Sequence, residues 1–348
     1  MAFTTINKSS DYFVTNLWTG NDTAQTITGI PFAPDFVWIK NRSAAESHTL
    51  VNTVIGANNF LKSNAASANN TNSEFLKSFT SDGYTLGNAD EVNNGSNNIV
   101  GWNWKANGQG SSNTDGSINT TYTSANTTSG FSIVQYTGTG ANATVGHGLG
   151  ISPKMIILKQ TNTSKDWMIY HKYTNPNGTG SQYYLHLNSS DGKASNATMW
   201  QNTDPTSSLF SLGSSSNVNG SSDTYIAYCF AEVQGYSKIS SYVGNGNVDG
   251  SFIHTGFKPA YVIAKRTDGA SNWNQFDNKR FGFNVKNPLL YPNLTNLEAD
   301  DVFIDLLSNG FKWRTTNGDI NASGGSYIYM AFAEAPLVGT NNVPANAR

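Results

Sequence analysis

Charge is scarce in this sequence. Asp, Glu, Lys and Arg make up only 13% of its 348 residues, and 21 basic side chains stand against 23 acidic ones for a formal net charge of -2. With no dense basic run, the counterion release that drives nucleic-acid binding has nothing to act on, so no nucleic-acid partner is expected. Cysteine is nearly absent too: Cys229 stands alone, which excludes an intrachain disulfide framework and a multi-thiolate metal site. No stretch approaches the roughly 18 apolar residues of a membrane span, and Met1 to Asp11 lacks the apolar core of a signal peptide. The expectation is a soluble chain without membrane insertion that is not exported by a classical signal.

What is present points to turns and aromatic cores. There are 33 glycines, Asn, Ser and Thr dominate the polar part, hydrophobic residues reach 37% and aromatics 12%. An aromatic side chain buries on the order of 150 to 250 Å², so these residues must organise cores, and the length suffices for two or three domains.

The chain repeats itself. A proline followed by an apolar-leaning run that ends in lysine occurs three times, from Pro34 to Lys40, from Pro153 to Lys159 and from Pro259 to Lys265. An aromatic residue and a glycine turn precede each run: Trp18 with Gly20, Tyr136 with Gly138, Tyr242 with Gly244. Fourteen residues beyond the proline stand His48, Trp167 and Trp273. Short segments closed by asparagine follow, at Phe60 to Asn64, Tyr184 to Asn188 and Leu289 to Asn293, and each copy finishes on a strand-like run: Ile99 to Trp104, Tyr225 to Glu232, Tyr327 to Glu334. Matched landmarks in the same order mark an internal repeat.

The proline-led runs are β-branched and aromatic, short, and bounded by Gly and Pro, the mark of strands, with proline at the strand's start. Apolar on both faces, they read as central strands. In the closing runs the period-two split puts Ile226, Tyr228 and Phe230 on a bulky face and Tyr225, Ala227, Cys229 and Ala231 on a mostly small one; Ile328, Met330 and Phe332 repeat this, as do Val100, Trp102 and Trp104. The bulky face is expected to fill the space between a module's own two sheets. One segment, Leu297 to Ser308, carries helical spacing (Leu297, Asp301, Ile304, Leu307) and predicts one or two helical turns, although its copy-two counterpart ending at Leu209 to Gly213 reads as strand.

The predicted fold is therefore all-β: three tandem β-sandwich modules, jelly-roll-like or immunoglobulin-like in the broad sense. The organisation reads as an N-terminal arm (1–11), module one (12–106), a polar linker (107–130), module two (131–235), module three (236–335) and a C-terminal tail (336–348). Because Ala106 to Gly130 is almost wholly Asn, Gly, Ser and Thr, it predicts a flexible or laid-down linker. Copies two and three, joined by few residues, are expected to pack as a rigid pair with copy one set apart.

Residues able to do chemistry are few. The histidines are His48, His147, His171, His186 and His254, and none sits in a nucleophile setting; the slot of His171 holds Asn52 in copy one and Asp277 in copy three, as at a polar strand end. Cys229 reads as a small buried hydrophobe. Glu298, Asp300, Asp301 and Asp305 form the densest acidic group, a solvated turn rather than a glycosidase pair or a calcium site. Zinc spacing and a phosphate loop are missing, and Gly146 to Gly150 reads as a turn. The glycosylation-type triplets at Asn69, Asn119 and Asn321 read as chance products of composition. Trp200, Tyr173 and Tyr183 lie in loop-like surroundings where they could stack on sugars, or pack beneath long loops. No catalytic, cofactor-binding or metal residue is predicted, and the chain is not expected to be an enzyme.

The closing runs Tyr225 to Glu232 and Tyr327 to Glu334, the run Gly256 to Pro259, and Leu306 to Thr316 resemble a repeated module of tail-fibre-like and other structural proteins of marine bacteriophages. The resemblance spans about Tyr12 to Ala335 and is strongest in copies two and three; copy one departs from it at His48 and in lacking the Ala-Glu ending. It implies a virion component, assembled in the reducing host cytoplasm, and supplies no catalytic residues. The expectation is a tail or capsid fibre or appendage that contacts a host-surface glycan or protein, with the N-terminal end held by other virion proteins and a homotrimer favoured by analogy with fibres. The alternatives are a decoration or ring protein without host contact, and a carbohydrate-binding adhesin module.

Overall fold

Proline at the head of each repeated run and β-branched residues behind it favour extended chain. In the computed structural model, which describes residues 4–175, 178–281, 284, 288–336 and 338, these runs lie in the strands Phe36–Asn41, Pro153–Gln160 and Phe257–Arg266. Strand accounts for 42% of the chain and helix for 8%, so the fold is all-β. Each of these lysine strands has the same neighbours. An opening strand (Phe13–Thr19, Phe131–Thr137, Ser237–Val243) pairs with the closing strand (Asn98–Trp104, Thr224–Ala231, Ser326–Pro336). The closing strand pairs with the lysine strand, which pairs in turn with a companion strand (Thr49–Asn52, Met168–His171, Trp273–Asp277). All pairings are antiparallel, and the lysine strands are interior, as their two apolar faces require.

A smaller sheet accompanies each main sheet: Gln25–Ile27, Gly83–Leu86 and Leu76–Thr80 in copy one, Ala143–Gly146 with Leu209–Leu212 in copy two, and Phe252–His254, Gly310–Trp313 and Ile304–Leu307 in copy three. The last of these overturns the helix expected within Leu297 to Ser308. Ile304 and Leu306 alternate inward, buried, while the strand pairs with Gly310–Trp313. A two-residue period that buries both apolar side chains prevails over helical spacing.

The two faces of the closing strands go to different places. The small face (Tyr225, Ala227, Cys229, Ala231) meets its own smaller sheet through Val145, Phe210 and Leu212, and copies three and one repeat this around Phe311 with Trp313 and around Tyr84 with Leu86. The bulky face does not fill its own sandwich, as the sequence led us to expect. Val100, Trp102 and Trp104, Ile226, Tyr228 and Phe230, and Ile328, Met330 and Phe332 all enter one cluster shared by the three copies. Small residues let the second sheet approach closely, whereas large ones are needed to span the wider space among three sheets. At its centre Trp104, Phe230 and Phe332 touch one another, with ring centroids 6.3, 5.8 and 6.0 Å apart. These three residues occupy equivalent positions in their strands.

Between copies, the landmarks of the repeat contact one another in rings. Trp167 Nε1 donates to Lys62 O (2.9 Å), Trp273 Nε1 to His186 O (2.8 Å), and His48 Nε2 lies 3.1 Å from Tyr291 O. The acceptors hold equivalent places in the asparagine-closed segments, whose Asn64, Asn188 and Asn293 accept the backbone N–H of His48, Trp167 and Trp273. A second ring is purely backbone: Asn69 N to Thr161 O, Lys193 N to Thr267 O and Glu298 N to Arg42 O, at 2.8, 2.9 and 3.0 Å. In both rings copy one is joined to copy two, two to three, and three back to one. Such head-to-tail contacts close only when the rotation between units closes, which three equal steps satisfy.

Copy one is thus a full member of the ring, contrary to the expected separation. The polar linker is laid down along copy two. Ala106 N and Gly108 N donate to Asp35 carboxylate oxygens at 2.6 and 2.9 Å, and Tyr122–Asn126 forms an added strand on the opening strand of copy two. Of the N-terminal arm, Thr4 and Ile6 are buried, Ile6 in the shared core. Of the C-terminal tail, only Pro336 and Val338 are among the described residues.

Candidate functional surfaces

Most of the groups that could do chemistry are spent on architecture, whereas His186 is half-buried and His254 is exposed. His48, His147 and His171 are fully buried. In each, Nδ1 accepts a hydrogen bond, from Trp38 Nε1 (2.9 Å), Leu149 N (3.2 Å) and Tyr173 N (3.1 Å) respectively. Nε2 therefore carries the proton and faces a carbonyl, of Tyr291, Thr206 or Tyr329. Burial holds all three below the ordinary imidazole range, His171 at about 3, so they are neutral at pH 7 and cannot act as bases poised near neutrality. The slot shared by Asn52, His171 and Asp277 forms a third ring. Asn52 Nδ2 donates to Tyr228 OH (2.9 Å), His171 Nε2 meets Tyr329 O (3.3 Å), and Trp102 Nε1 donates to Asp277 Oδ2 (3.0 Å). Cys229 is buried and its thiol is pushed up to about 12 by desolvation, so it holds almost no nucleophilic thiolate.

The acidic group is likewise engaged. Glu298 takes both guanidinium arms of Arg42 (2.9 and 2.8 Å) and one of Arg280 (2.9 Å), tying copy three to copy one. Arg280 also bonds the buried Asp277 at 2.6 Å, whose carboxyl this guanidinium holds below its usual range against the opposing effect of burial. Asp305 lies 3.4 Å from Arg314 Nε, and Asp301 Oδ1 accepts Val302 N at 2.7 Å. Among the described residues no group of three or more His, Cys, Asp or Glu could hold a metal ion. Trp200 is buried edge-on to Tyr170 and offers no face to a sugar. Tyr183 and Tyr173 are half-buried, with Lys193 Nζ 4.5 Å from one ring and Lys154 Nζ 5.7 Å from the other.

Two groups of polar residues have buried roles that the sequence did not reveal. Lys40, Lys159 and Lys265, which end the repeated runs, are buried, and desolvation pushes each down to about 8. Each donates to the carbonyl of its own successor, at 2.7, 2.7 and 2.8 Å, and Lys40 and Lys265 also reach Thr295 O and Ser190 O of a neighbouring copy. The invariable lysine after an apolar run was the available signal. Asn93, Asn219 and Asn321 are also buried, and their Oδ1 atoms accept the N–H of Asn21, Thr139 and Asn245 beside the glycine turns. Their signal was an apolar-Asn pair five residues before each closing strand. The landmark aromatics bond the same corner: Trp18 Nε1 to Val92 O, Tyr136 OH to Val218 O, Tyr242 OH to Ile320 O.

What remains accessible lies at the junctions and flanks of the copies. Where copy three meets copy one, a cleft of about 270 Å³ is lined by Phe13, Val14, Pro31, Ala260, Lys279 and Glu334. Where copy two meets copy three, the corresponding hollow, of about 390 Å³, is polar, lined by Glu232, Gln234, Lys238, His254 and Thr255, with Glu232 held by Lys154 (3.1 Å) and Lys238 (3.0 Å). The flanks of the sandwiches differ more sharply. In copy two the linker closes the flank: Ile118 N donates to Thr144 O at 3.0 Å, Ile118 bridges Val145, and both are buried in the private core. In copy three Phe252 takes the place of Thr144 and is 47% exposed, with Val243 at 60% and Val248 at 61% nearby.

No helix of the described residues is long and apolar enough to cross a membrane. No curated protein matches this chain. One family model matches residues 8–336, and the chain belongs to the family known as a domain of unknown function (DUF7483).

Proposed function

We propose that this chain is a structural protein of a phage particle, an appendage of the tail or capsid that presents an uncharged surface to the host. The observation that carries this reading is that His48, His171, Asp277 and Glu298 are engaged in contacts between copies while His147, Cys229 and the three repeat lysines are buried, leaving packing and recognition as the work of the molecule. The fibre-like module that the closing runs resemble adds to it. A chain whose threefold contacts are satisfied internally keeps its cores covered without disulfides, which suits a protein made in a reducing compartment that must then persist outside it.

One observation favours a second reading. The copies surround a common core instead of following one another along an axis, a shape that suits a decoration or ring protein, without host contact, as well as the head of a fibre. Purified protein that binds host cells and competes with phage adsorption supports the appendage; protein that does neither overturns it in favour of decoration. Light scattering after gel filtration adds the stoichiometry, with a trimer fitting a fibre and a monomer fitting a decoration knob. Electron microscopy of the intact particle then locates the chain.

A further inference from the structure

The pseudo-threefold repeat supplies its own control for an open surface. Three equivalent edge strands of the smaller sheets carry a buried apolar residue at one position: Ile27 opposite Tyr84, Val145 opposite Phe210, Ile253 opposite Phe311. In copy two, the outer side of that strand receives the linker. Besides the bond from Ile118 N, Ser117 N donates to Thr144 Oγ1 (3.0 Å) and Thr144 N to Ser117 Oγ (2.8 Å). The added strand Tyr122–Asn126 covers the edge of the main sheet on the same flank. Under this cover Tyr136 is completely buried, whereas its counterparts Trp18 and Tyr242 are only half-buried. Copies one and three have no such insert. Copy one leaves Leu17 43% exposed, and copy three leaves Val243, Val248 and Phe252 between 47 and 61% exposed around Tyr242.

We infer that the flank of copy three is a strand-addition site, and that its occupant is an extended, uncharged Ser/Thr/Asn-rich segment of a partner protein with one β-branched apolar residue, seated as Ser117 and Ile118 are on copy two. Strand addition draws affinity from main-chain hydrogen bonds and specificity from alternate side chains, and a sheet edge beside an apolar patch is what it requires. The chemistry of the occupant follows from charge. Asp249 and Asp305 at the rim balance Lys312 and Arg314, with Asp249 2.7 Å from Lys312 and 3.3 Å from Arg314 and Asp305 3.4 Å from Arg314, so a charged strand gains nothing there. Main-chain bonds are most available along Phe252–His254. On the neighbouring opening strand Glu232 already accepts Ile239 N (3.2 Å), and Ser251 Oγ donates to Val243 O (3.0 Å). This inference holds whichever particle, if any, the chain belongs to.

The test uses the full chain and a synthetic peptide with its own sequence from Gly110 to Asn126 as the probe. Hydrogen exchange is followed residue by residue. The expected result is slowed exchange in Phe252–His254 with peptide present and unchanged exchange in Ala143–Gly146, where the flank is already closed. Phe252→Lys in the chain, or Ile118→Asp in the peptide, is expected to weaken the protection at least tenfold. Because Phe252 is exposed, an unchanged melting temperature shows that the variant is folded. No protection at millimolar peptide, or protection indifferent to both substitutions, overturns the site. Protection that grows with protein concentration and needs no peptide makes the occupant a second copy and overturns the partner strand.

Discussion

Copy one and its two siblings differ most in sequence and hardly at all in position. Where copies two and three place Trp167 and Trp273, copy one has His48, yet all three reach the carbonyl at the equivalent position of the neighbouring copy. His48 has a second partner, Trp38 Nε1 at 2.9 Å, and Trp38 is the largest residue at a position where the others carry Ile157 and Ile263. A smaller ring in one place is thus matched by a larger one beside it. Divergence at a landmark reports which side chains solve a local packing problem; it does not report whether the module stands apart.

The strongest test of that comparison is Trp104→Ala. If copy one were an independent domain, the change would melt it alone. Because Trp104 meets Phe230 and Phe332 on the common axis, we expect a loss of about 3 to 5 kcal/mol, with the whole chain unfolding in one calorimetric transition. A separate transition for copy one would break the comparison.

His48→Ala should cost about 1 to 3 kcal/mol at pH 7, since it strands the buried Trp38 Nε1 and Tyr291 O. Denaturant unfolding measures it, and a negligible effect would mean that the third link of the ring is idle.

Acid provides the next test. His171 titrates at about 3 in the folded chain and His48 and His147 are also depressed, against roughly 6.5 when unfolded. Between those values the unfolded chain binds more protons, so the histidines' contribution to stability is complete above about 6.5 and is lost as pH drops below it. The slope approaches about 1.4 kcal/mol per pH unit for each histidine. Chemical denaturation at a series of pH values checks this, and His171→Gln should remove one histidine's share of the slope.

The smallest effect is expected at the open flank, where Phe252→Lys should change stability by no more than about 0.5 kcal/mol. An equivalent charge at the covered flank, Ile118→Lys, should cost several times more. Equal effects would show that the two flanks are not the open and closed forms of one surface. As a companion check, Cys229 should resist thiol reagents in the native chain and react fully once unfolded, because burial keeps its thiol protonated.

Much of this architecture is written locally. Proline ahead of a β-branched run, aromatic–glycine turns and alternating closing runs are short-range signals, and every one marks a real strand or turn. Leu297 to Ser308 misled because a few residues can satisfy two periods at once, and only pairing with Gly310–Trp313 selects the strand. The lysines were legible as a repeated letter, but their burial was not, since a charged residue after an apolar run looks like a strand end in water. Trp200, in polar surroundings along the chain, is buried because distant segments cover it.

The sequence by itself determined that the chain is all-β, that it is built on a threefold repeat, and which strand faces are bulky and which small. These properties depend on residue size, branching and spacing over a few positions. Only the tertiary structure decided where the bulky faces point, that copy one closes the ring, and that a polar linker becomes the cover of copy two. Those outcomes depend on contacts between residues from a few tens to more than two hundred positions apart, where the volume to be filled and the carbonyls to be paired belong largely to another copy.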